Sequence, residues 1–444
     1  MSISPARAVA FDILLRVEQQ AAYASELLHS DRLDKLSPAD RGLATEIVMG
    51  VLRWQSRLDS VIATSSSRPL SKLDPQVLIA LRMATYQLMF LSRTPARAAI
   101  HDSVDLVKRA GKTSAAPFAN AVLRKLSDSA KAAARAPADN LTVPELSETY
   151  AHPEWLVGRW AVQLGVEKAA AICRHDQQVP ATSIRIDGDS VTAELEDEGI
   201  TLAHGALLSS ARTVIGGEIT QTRAYREGRV FIQDEASQLV AALVGKGSRL
   251  LDCCAAPGSK TAAIASRNPT SEIVAVELHP HRAELLRRRV QAANVQIITS
   301  DVLQLPPHGE FDRVLADVPC SGTGTLARNP EIKWRLKPQD LSDLHTKQVS
   351  ILRAALLHLA RGGRAVYSTC SLEPEENQAV VDEVLQDNPK FALLDCRAEL
   401  EALKDQGELA TSDLDSILEG KYLRTIPGVQ LCDGFFAAVL ERRS

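Results

Sequence analysis

From about residue 226 the chain repeatedly swaps a short apolar run for an amphipathic one. RLLD (249–252) leads through a glycine-containing turn into a helical stretch, and EIVAVE (272–277) precedes a helix over 282–293. VQIIT (295–299) and DRVLADV (312–318) read as strands. HTKQVSILRAALLHLA reads as a helix closed by glycines, and RAVYSTCS and GFFAAVLER as two more strands. Strands that alternate with helices need crossover connections, so they build a mostly parallel sheet covered by helices on both faces. Open sheets of this kind bind ligands outside the carboxyl ends of their strands.

The preceding residues have another rhythm. Ser4-Pro5 is a cap followed by a proline at the first helical position, and Ala6, Val9, Ile13 and Val17 recur at helical spacing. Ser37-Pro38-Ala39-Asp40 repeats the start signal before Leu43, Ile47, Val51 and Leu52. Further helices are predicted from Asp74-Pro75 to 91, over 96–110 and over 115–127. KAAARAPADN (131–140) reads as a linker. Residues 141–225 mix a helix (154–175), a strand (182–186) and a helix (191–198), with another short strand at 230–233. The expected architecture is multidomain: an all-α domain over 1–135, a small α+β connector over 141–225 and a Rossmann-like α/β domain over 226–444.

Composition narrows the classes. With 45% hydrophobic and 24% charged residues the chain has material for real cores. It has no run of about 20 apolar residues, as a membrane-spanning helix needs, and Asp12 and Glu18 interrupt the N-terminal apolar stretch. The expectation is a soluble cytoplasmic protein. Seven cysteines with no C-x-x-C pair fit neither a disulfide framework nor a structural zinc site, so no metal is expected. The net charge is -4, but residues 373–419 alone carry -11 and residues 1–145 carry +5. A mildly basic body is compatible with RNA without indicating it. The acidic stretch 395–420 reads as a mobile insertion.

The chemistry gathers at the predicted strand tips. Asp252–Thr261, DCCAAPGSKT, is a strand-to-helix turn in which Gly258 and small alanines admit a ligand to the backbone. It has neither P-loop nor G-x-G-x-x-G spacing, so no phosphate-centred dinucleotide site is expected. Glu277 lies 19 positions after Gly258, at the tip of the next strand, where a carboxylate can bind ribose hydroxyls. Asp301 ends the third strand, on the adenine side. A ribose reader without a pyrophosphate turn points to S-adenosylmethionine rather than NAD. Asp317-Val318-Pro319-Cys320-Ser321-Gly322 ends the fourth strand and Ser368-Thr369-Cys370-Ser371 the fifth. If those strands are neighbours, about 4.8 Å apart, both cysteines face one crevice.

Two thiols beside a nucleoside crevice suit one reaction. Carbon 5 of cytosine is a poor nucleophile, and a thiolate adding to carbon 6 turns the ring into an enamine that reacts at carbon 5. A second thiol can assist as base when the adduct breaks down. Asp317 can bond the ring nitrogen and amino edge, and the base must be unstacked to enter. An amino-group methyltransferase would need no thiol. An RNA-binding assembly factor with a dead catalytic domain would show damaged motifs.

DCCAAPGSKT, DVPCSGTG, RNPEIKW, YSTCSLEPEEN and DGFF together resemble the RNA cytosine-5 methyltransferases. SPADRGLATEIVMGVLRW, in the helical N-terminus, resembles the RNA-binding NusB fold. The fusion is similar to the bacterial RsmB/Fmu/Sun family, which methylates a cytosine of 16S ribosomal RNA. The resemblance implies a NusB-like N-terminal domain and a class I methyltransferase domain using S-adenosyl-L-methionine. It implies that Cys370 is the nucleophile and Cys320 the residue that aids product release. It places the cofactor on Cys254, Ala255, Ala256, Pro257, Gly258, Ser259 and Lys260, with Glu277 on the ribose and Asp301 on the adenine side. Asp317 then stands between cofactor and target base. The implied partner is 16S ribosomal RNA, free or partly assembled, and nothing requires more than a monomer. An assembly factor, or a cytosine-5 methyltransferase acting on another RNA, is the alternative. Ser259 replaces a usual second glycine, and a positive φ there would strain it. Lys333 and Trp334 are candidates for an RNA path or a packed loop. Arg287, Arg288 and Arg289 are read as a solvated face or phosphate contacts, and Phe435 and Phe436 as core.

Overall fold

The computed structural model describes residues 3–20, 22–30, 33, 35–127, 141–186, 188–306 and 309–443. The predicted linker 131–140 lies outside them. Packing divides the chain into two units: 1–179 with 326–335, and 180–325 with 336–444. Of the expected connector over 141–225, residues 141–179 group with the first unit, and 180–225, helix Asp189–Asp197 included, with the second.

The first unit is helical. Its longer helices are Pro5–Gln20, Pro38–Arg53, Gln55–Ser65, Pro75–Phe90, Ala96–Arg109 and Ala116–Ser127. Ser37 accepts from the Asp40 backbone N at 3.2 Å and Pro38 occupies the first turn, as the start signal implied. The Gln55–Ser65 helix was not anticipated, because it follows its predecessor across Trp54 alone and carries no start signal. Pro75–Phe90 is apolar almost all round and runs through the core, with Ile79, Leu81, Met83 and Ala84 buried. The single helix predicted over 154–175 is two, Glu154–Leu164 and Val166–Asp176, because Gly165 breaks it at φ +89°.

The segment 326–335 belongs to this unit although it follows the Cys320 motif in sequence. Lys333 is fully buried, and its Nζ donates to the Arg53 and Ala151 carbonyls at 2.9 Å each. Trp334 Nε1 donates to Leu52 O at 2.6 Å, and Glu331 accepts from the Ala24 backbone N at 2.8 Å. Burial pushes the Lys333 ammonium down to about 7. Lys333 is therefore packed inside the unit rather than lining an open path.

The second unit holds two sheets. The smaller is antiparallel, ordered β2-β3-β1-β4, from β1 (Thr182–Ile186), β2 (Thr201–His204), β3 (Ala211–Gly216) and β4 (Val230–Ile232). β2 and β3 escaped prediction because they are short and mostly half-exposed, with no clean alternation. The larger sheet contains β5 (Arg249–Asp252), β6 (Glu272–Glu277), β7 (Val295–Thr299), β8 (Phe311–Asp317), β9 (Leu359–Thr369), β10 (Phe391–Leu393), β11 (Leu418–Glu419), β12 (Tyr422–Arg424) and β13 (Phe436–Arg442). Its order is β11-β12-β13-β9-β8-β5-β6-β7, with β10 also on β13. β7, β6, β5, β8 and β9 are parallel, and β13 is antiparallel to β9. The order reverses at β5, between β6 and β8, which is the switch point where such sheets bind ligands.

Three details differ from expectation. The helix after β6 is Pro280–Arg289, not 282–293, because Val290 turns extended and buries itself. The long helix ends at Leu357, before the glycines. Leu359 already pairs with Phe311, and Gly362, at φ +70°, lies in the irregular stretch before Arg364 rejoins β8. The acidic stretch is no mobile insertion: helix Cys396–Asp405 buries Cys396, Leu400 and Leu403, and β11 joins the sheet. Arginines answer its acids, with Arg364 on Glu399 at 2.7 Å and Arg267 and Arg397 on Glu408 and Asp415.

Candidate active site

The parallel strands deliver the predicted residues to one edge. Register pairs Glu277 with Thr299 and Asp317 with Ser368 across neighbouring strands. The β5 turn is built around Gly258, at φ +110°. A Cβ there would lie 2.8 Å from Leu286 Cδ1 and Val290 Cγ2, so only glycine fits without displacing that packing. Ser259 is the first residue of helix Ser259–Arg267, and Ala151 is the only non-glycine residue at positive φ among those described. The feared strain at Ser259 is absent, because the left-handed turn is confined to Gly258.

Asp252 supports the turn from beneath. Its Oδ2 accepts from Thr261 Oγ1 at 2.7 Å, while burial pushes its carboxyl up to about 6. Arg282 donates to the Ala256 carbonyl at 3.2 Å, a brace that no motif had signalled. Cys254 is half-buried and Ala255 buried. Glu277 is buried at the β6 tip; its Oε1 accepts from the His279 backbone N at 2.9 Å. Its Oε2 makes no hydrogen bond among the described residues. A small-residue turn beside a buried carboxylate with one oxygen uncommitted fits a nucleoside with a free ribose. Asp301 lies just past β7, where its Oδ1 accepts from the Leu303 backbone N at 3.0 Å.

β8 and β9 bring the two cysteines together. Cys320 Sγ and Cys370 Sγ are 3.3 Å apart, both half-buried. The Cys320 thiol is held well above its ordinary value, first by its hydrogen bond with Cys370 and then by burial. The loop after Cys320 folds back onto β9, with Gly324 N donating to Cys370 O at 2.9 Å and Gly434 N to Gly324 O at 2.8 Å. A Cβ on Gly324 would fall 2.1 Å from Gly434 O, which explains glycine in both the SGTG and DGFF motifs.

Asp317 binds both neighbours. Its Oδ2 lies 2.8 Å from Lys260 Nζ, and its Oδ1 accepts from Ser368 Oγ at 2.7 Å. Burial works against the Lys260 charge, but Asp317 outweighs it and Cys370 adds to the effect, so the ammonium is held above its ordinary range. Lys260 Nζ also sits 4.9 Å from the Phe435 ring centroid. Phe435 borders the site, whereas Phe436 packs on Tyr367 and Tyr422. Arg287 donates to Thr299 Oγ1 at 3.1 Å and Arg288 pairs with Glu284. Arg288 and Arg289 rim a cavity of about 810 Å³ with Tyr225 and Phe231.

The fold and this edge are those of a class I methyltransferase, with two cysteines in contact beside the cofactor turn. Family models for 16S rRNA methyltransferase RsmB/F and for NusB match residues 242–441 and 4–128. "Probable ribosomal RNA small subunit methyltransferase B" of Bacillus subtilis is 35% identical over 407 residues, 88% of this chain and 90% of its own. Ribosomal RNA small subunit methyltransferase B of Vibrio cholerae is 30% identical over 422 residues, covering 92% and 91%. The crystal structure of PH0851 shares the fold, with TM-score 0.79 and 24% identity over the whole of both chains. The chain belongs to the RsmB/F family of S-adenosylmethionine-dependent ribosomal RNA cytosine-5 methyltransferases, with a NusB-family region at its N-terminus. Among the described residues no helix is long and apolar enough to cross a membrane, and no cluster is suited to a metal ion.

Proposed function

We propose that this enzyme methylates carbon 5 of one cytosine in 16S ribosomal RNA, free or partly assembled, through a covalent adduct on Cys370. The observation that carries this reading is the 3.3 Å contact between Cys320 and Cys370 beside the Lys260–Asp317 pair. Cys370, as thiolate, adds to carbon 6 of the unstacked base. Asp317 orients the ring nitrogen and amino edge while charge builds there. Bound S-adenosylmethionine supplies an electrophilic methyl group, and residues 254–260, Glu277, Asp301 and Asp317 would hold it. Adduct formation ties up the Cys370 sulfur, whose contact helps hold the Cys320 proton on; after carbon 5 is methylated, Cys320 in its thiolate form takes the carbon 5 proton, the 5,6 double bond re-forms and Cys370 leaves as thiolate. We take the enzyme to act as a monomer in the cytoplasm, on the 16S ribosomal RNA.

The test is methyl transfer from labelled S-adenosylmethionine to unmodified 16S RNA and to partly assembled small subunits, followed by nucleoside analysis. The expected product is 5-methylcytosine at one position. Label on an amino group, or only in another RNA, would overturn the assignment.

A further inference from the structure

Below the two cysteines lies a buried carboxylate that the reaction itself does not use. Glu376 is fully buried, follows the turn after β9, and forms no ion pair with any described residue. Four donors converge on it. Oε1 accepts from the Ser321 backbone N at 2.8 Å and from Gln348 Nε2 at 2.9 Å. Oε2 accepts from Ser371 Oγ at 2.5 Å and from Ser321 Oγ. A carboxylate has about four acceptor positions, so Glu376 is saturated.

Three of the four donors belong to the residues that follow the two cysteines in sequence. Ser321 follows Cys320 and Ser371 follows Cys370. Gln348 Nε2 also donates to Pro319 O at 3.0 Å, so Cys320 is held from both sides. The adjacent Asn377 completes the grip on the other loop, accepting from Thr369 Oγ1 at 2.5 Å and donating to Ser371 O at 2.9 Å. The two serine hydroxyls lie 3.1 Å apart, each one residue after a cysteine of the 3.3 Å pair.

We propose that Glu376 is a positioning residue that locks the Cys320 and Cys370 loops to each other and so sets the spacing of the two thiols. The inference rests on the cysteine roles proposed above. A neutral glutamine would satisfy the same donors, since the serine hydroxyls can rotate to accept from an amide. Burying a carboxylate with no cation beside it is the more costly choice. Its return is four charge-assisted bonds, which are shorter and stiffer than neutral ones. Near-attack geometry makes stiffness matter, because a displacement of about 1 Å can cost about 10²-fold in rate.

The full-length chain carrying Glu376→Ala, Glu376→Gln or Ser371→Ala is compared with wild type. Methylation kcat, KM for RNA, S-adenosylmethionine affinity and melting temperature are measured for each. Adduct formation is followed in the Cys320→Ala background. Glu376→Ala is expected to lower kcat about 100-fold and to slow adduct formation in parallel. KM and cofactor affinity should stay within about twofold, and Glu376→Gln should recover about tenfold of the loss. If Glu376→Ala does not fold, Glu376→Gln and Ser371→Ala decide, each with about a tenfold kcat loss at unchanged KM. Unchanged kcat in the folded variants, or losses that follow cofactor affinity and melting temperature, would overturn the proposal. Cys370→Ala is the control: if it remains active, the cysteine assignment fails, independently of Glu376.

Discussion

Gly258→Ala tests the cofactor turn against a magnitude fixed by its geometry. At φ +110° an L-residue pays roughly 1–2 kcal/mol for a left-handed backbone. The new Cβ would also sit 2.8 Å from Leu286 Cδ1 and Val290 Cγ2, both on buried residues. Overpacking of that kind costs about 1–3 kcal/mol. The two terms give a loss of about 2–5 kcal/mol, and a unit of this size should then melt about 4–20 °C lower. Because the strain is relieved by moving the turn, S-adenosylmethionine affinity should fall as well. The matched control is Ser259→Gly. Ser259 already begins a helix at ordinary φ, so glycine there should cost no more than about 1 kcal/mol. Thermal melts and titration calorimetry on both variants give the answer. Wild-type melting of Gly258→Ala, or a clear gain from Ser259→Gly, would refute the account of the turn.

Three further substitutions probe the buried charges. The Asp252 carboxyl, pushed up to about 6, holds its proton more tightly folded than unfolded. Its contribution to stability is therefore present below about pH 4 and lost as pH rises through 6. Relative to Asp252→Asn, wild type should lose about 2–3 kcal/mol between pH 4 and pH 7 in urea titrations, and a flat difference would refute this. Asp317→Asn leaves Lys260 buried without its counter-charge and should cost about 1–3 kcal/mol at pH 7. Adding Lys260→Met should recover more than half of that in a double-mutant cycle; simple additivity would show that the pair is not coupled.

What the sequence disclosed follows from what each kind of signal encodes. Alternating strands and helices, proline starts and glycine turns are local, so the parallel sheet and most helices were legible. Helix Gln55–Ser65 lacks a start signal, and β2 and β3 lack alternation, so these were not. Cys320 and Cys370 were readable as partners because their strands are neighbours in β8 and β9. Glu376 was not, since its partners Ser321 and Gln348 lie 55 and 28 residues away and only the folded chain brings them in. The acidic stretch misled because its arginine partners Arg267 and Arg364 are also remote in sequence. Nothing local announces that Lys333 and Trp334 pack with a unit whose other residues end at 179.

The central claim is that Cys370 forms the bond to RNA and Cys320 ends it. Full-length wild type, Cys320→Ala and Cys370→Ala are each incubated with S-adenosylmethionine and substrate RNA and run on denaturing gels. Cys320→Ala should accumulate a protein–RNA complex that survives denaturation, while Cys370→Ala should form none and make no 5-methylcytosine. A stable complex with Cys370→Ala but not with Cys320→Ala would contradict the assignment and reverse the two roles.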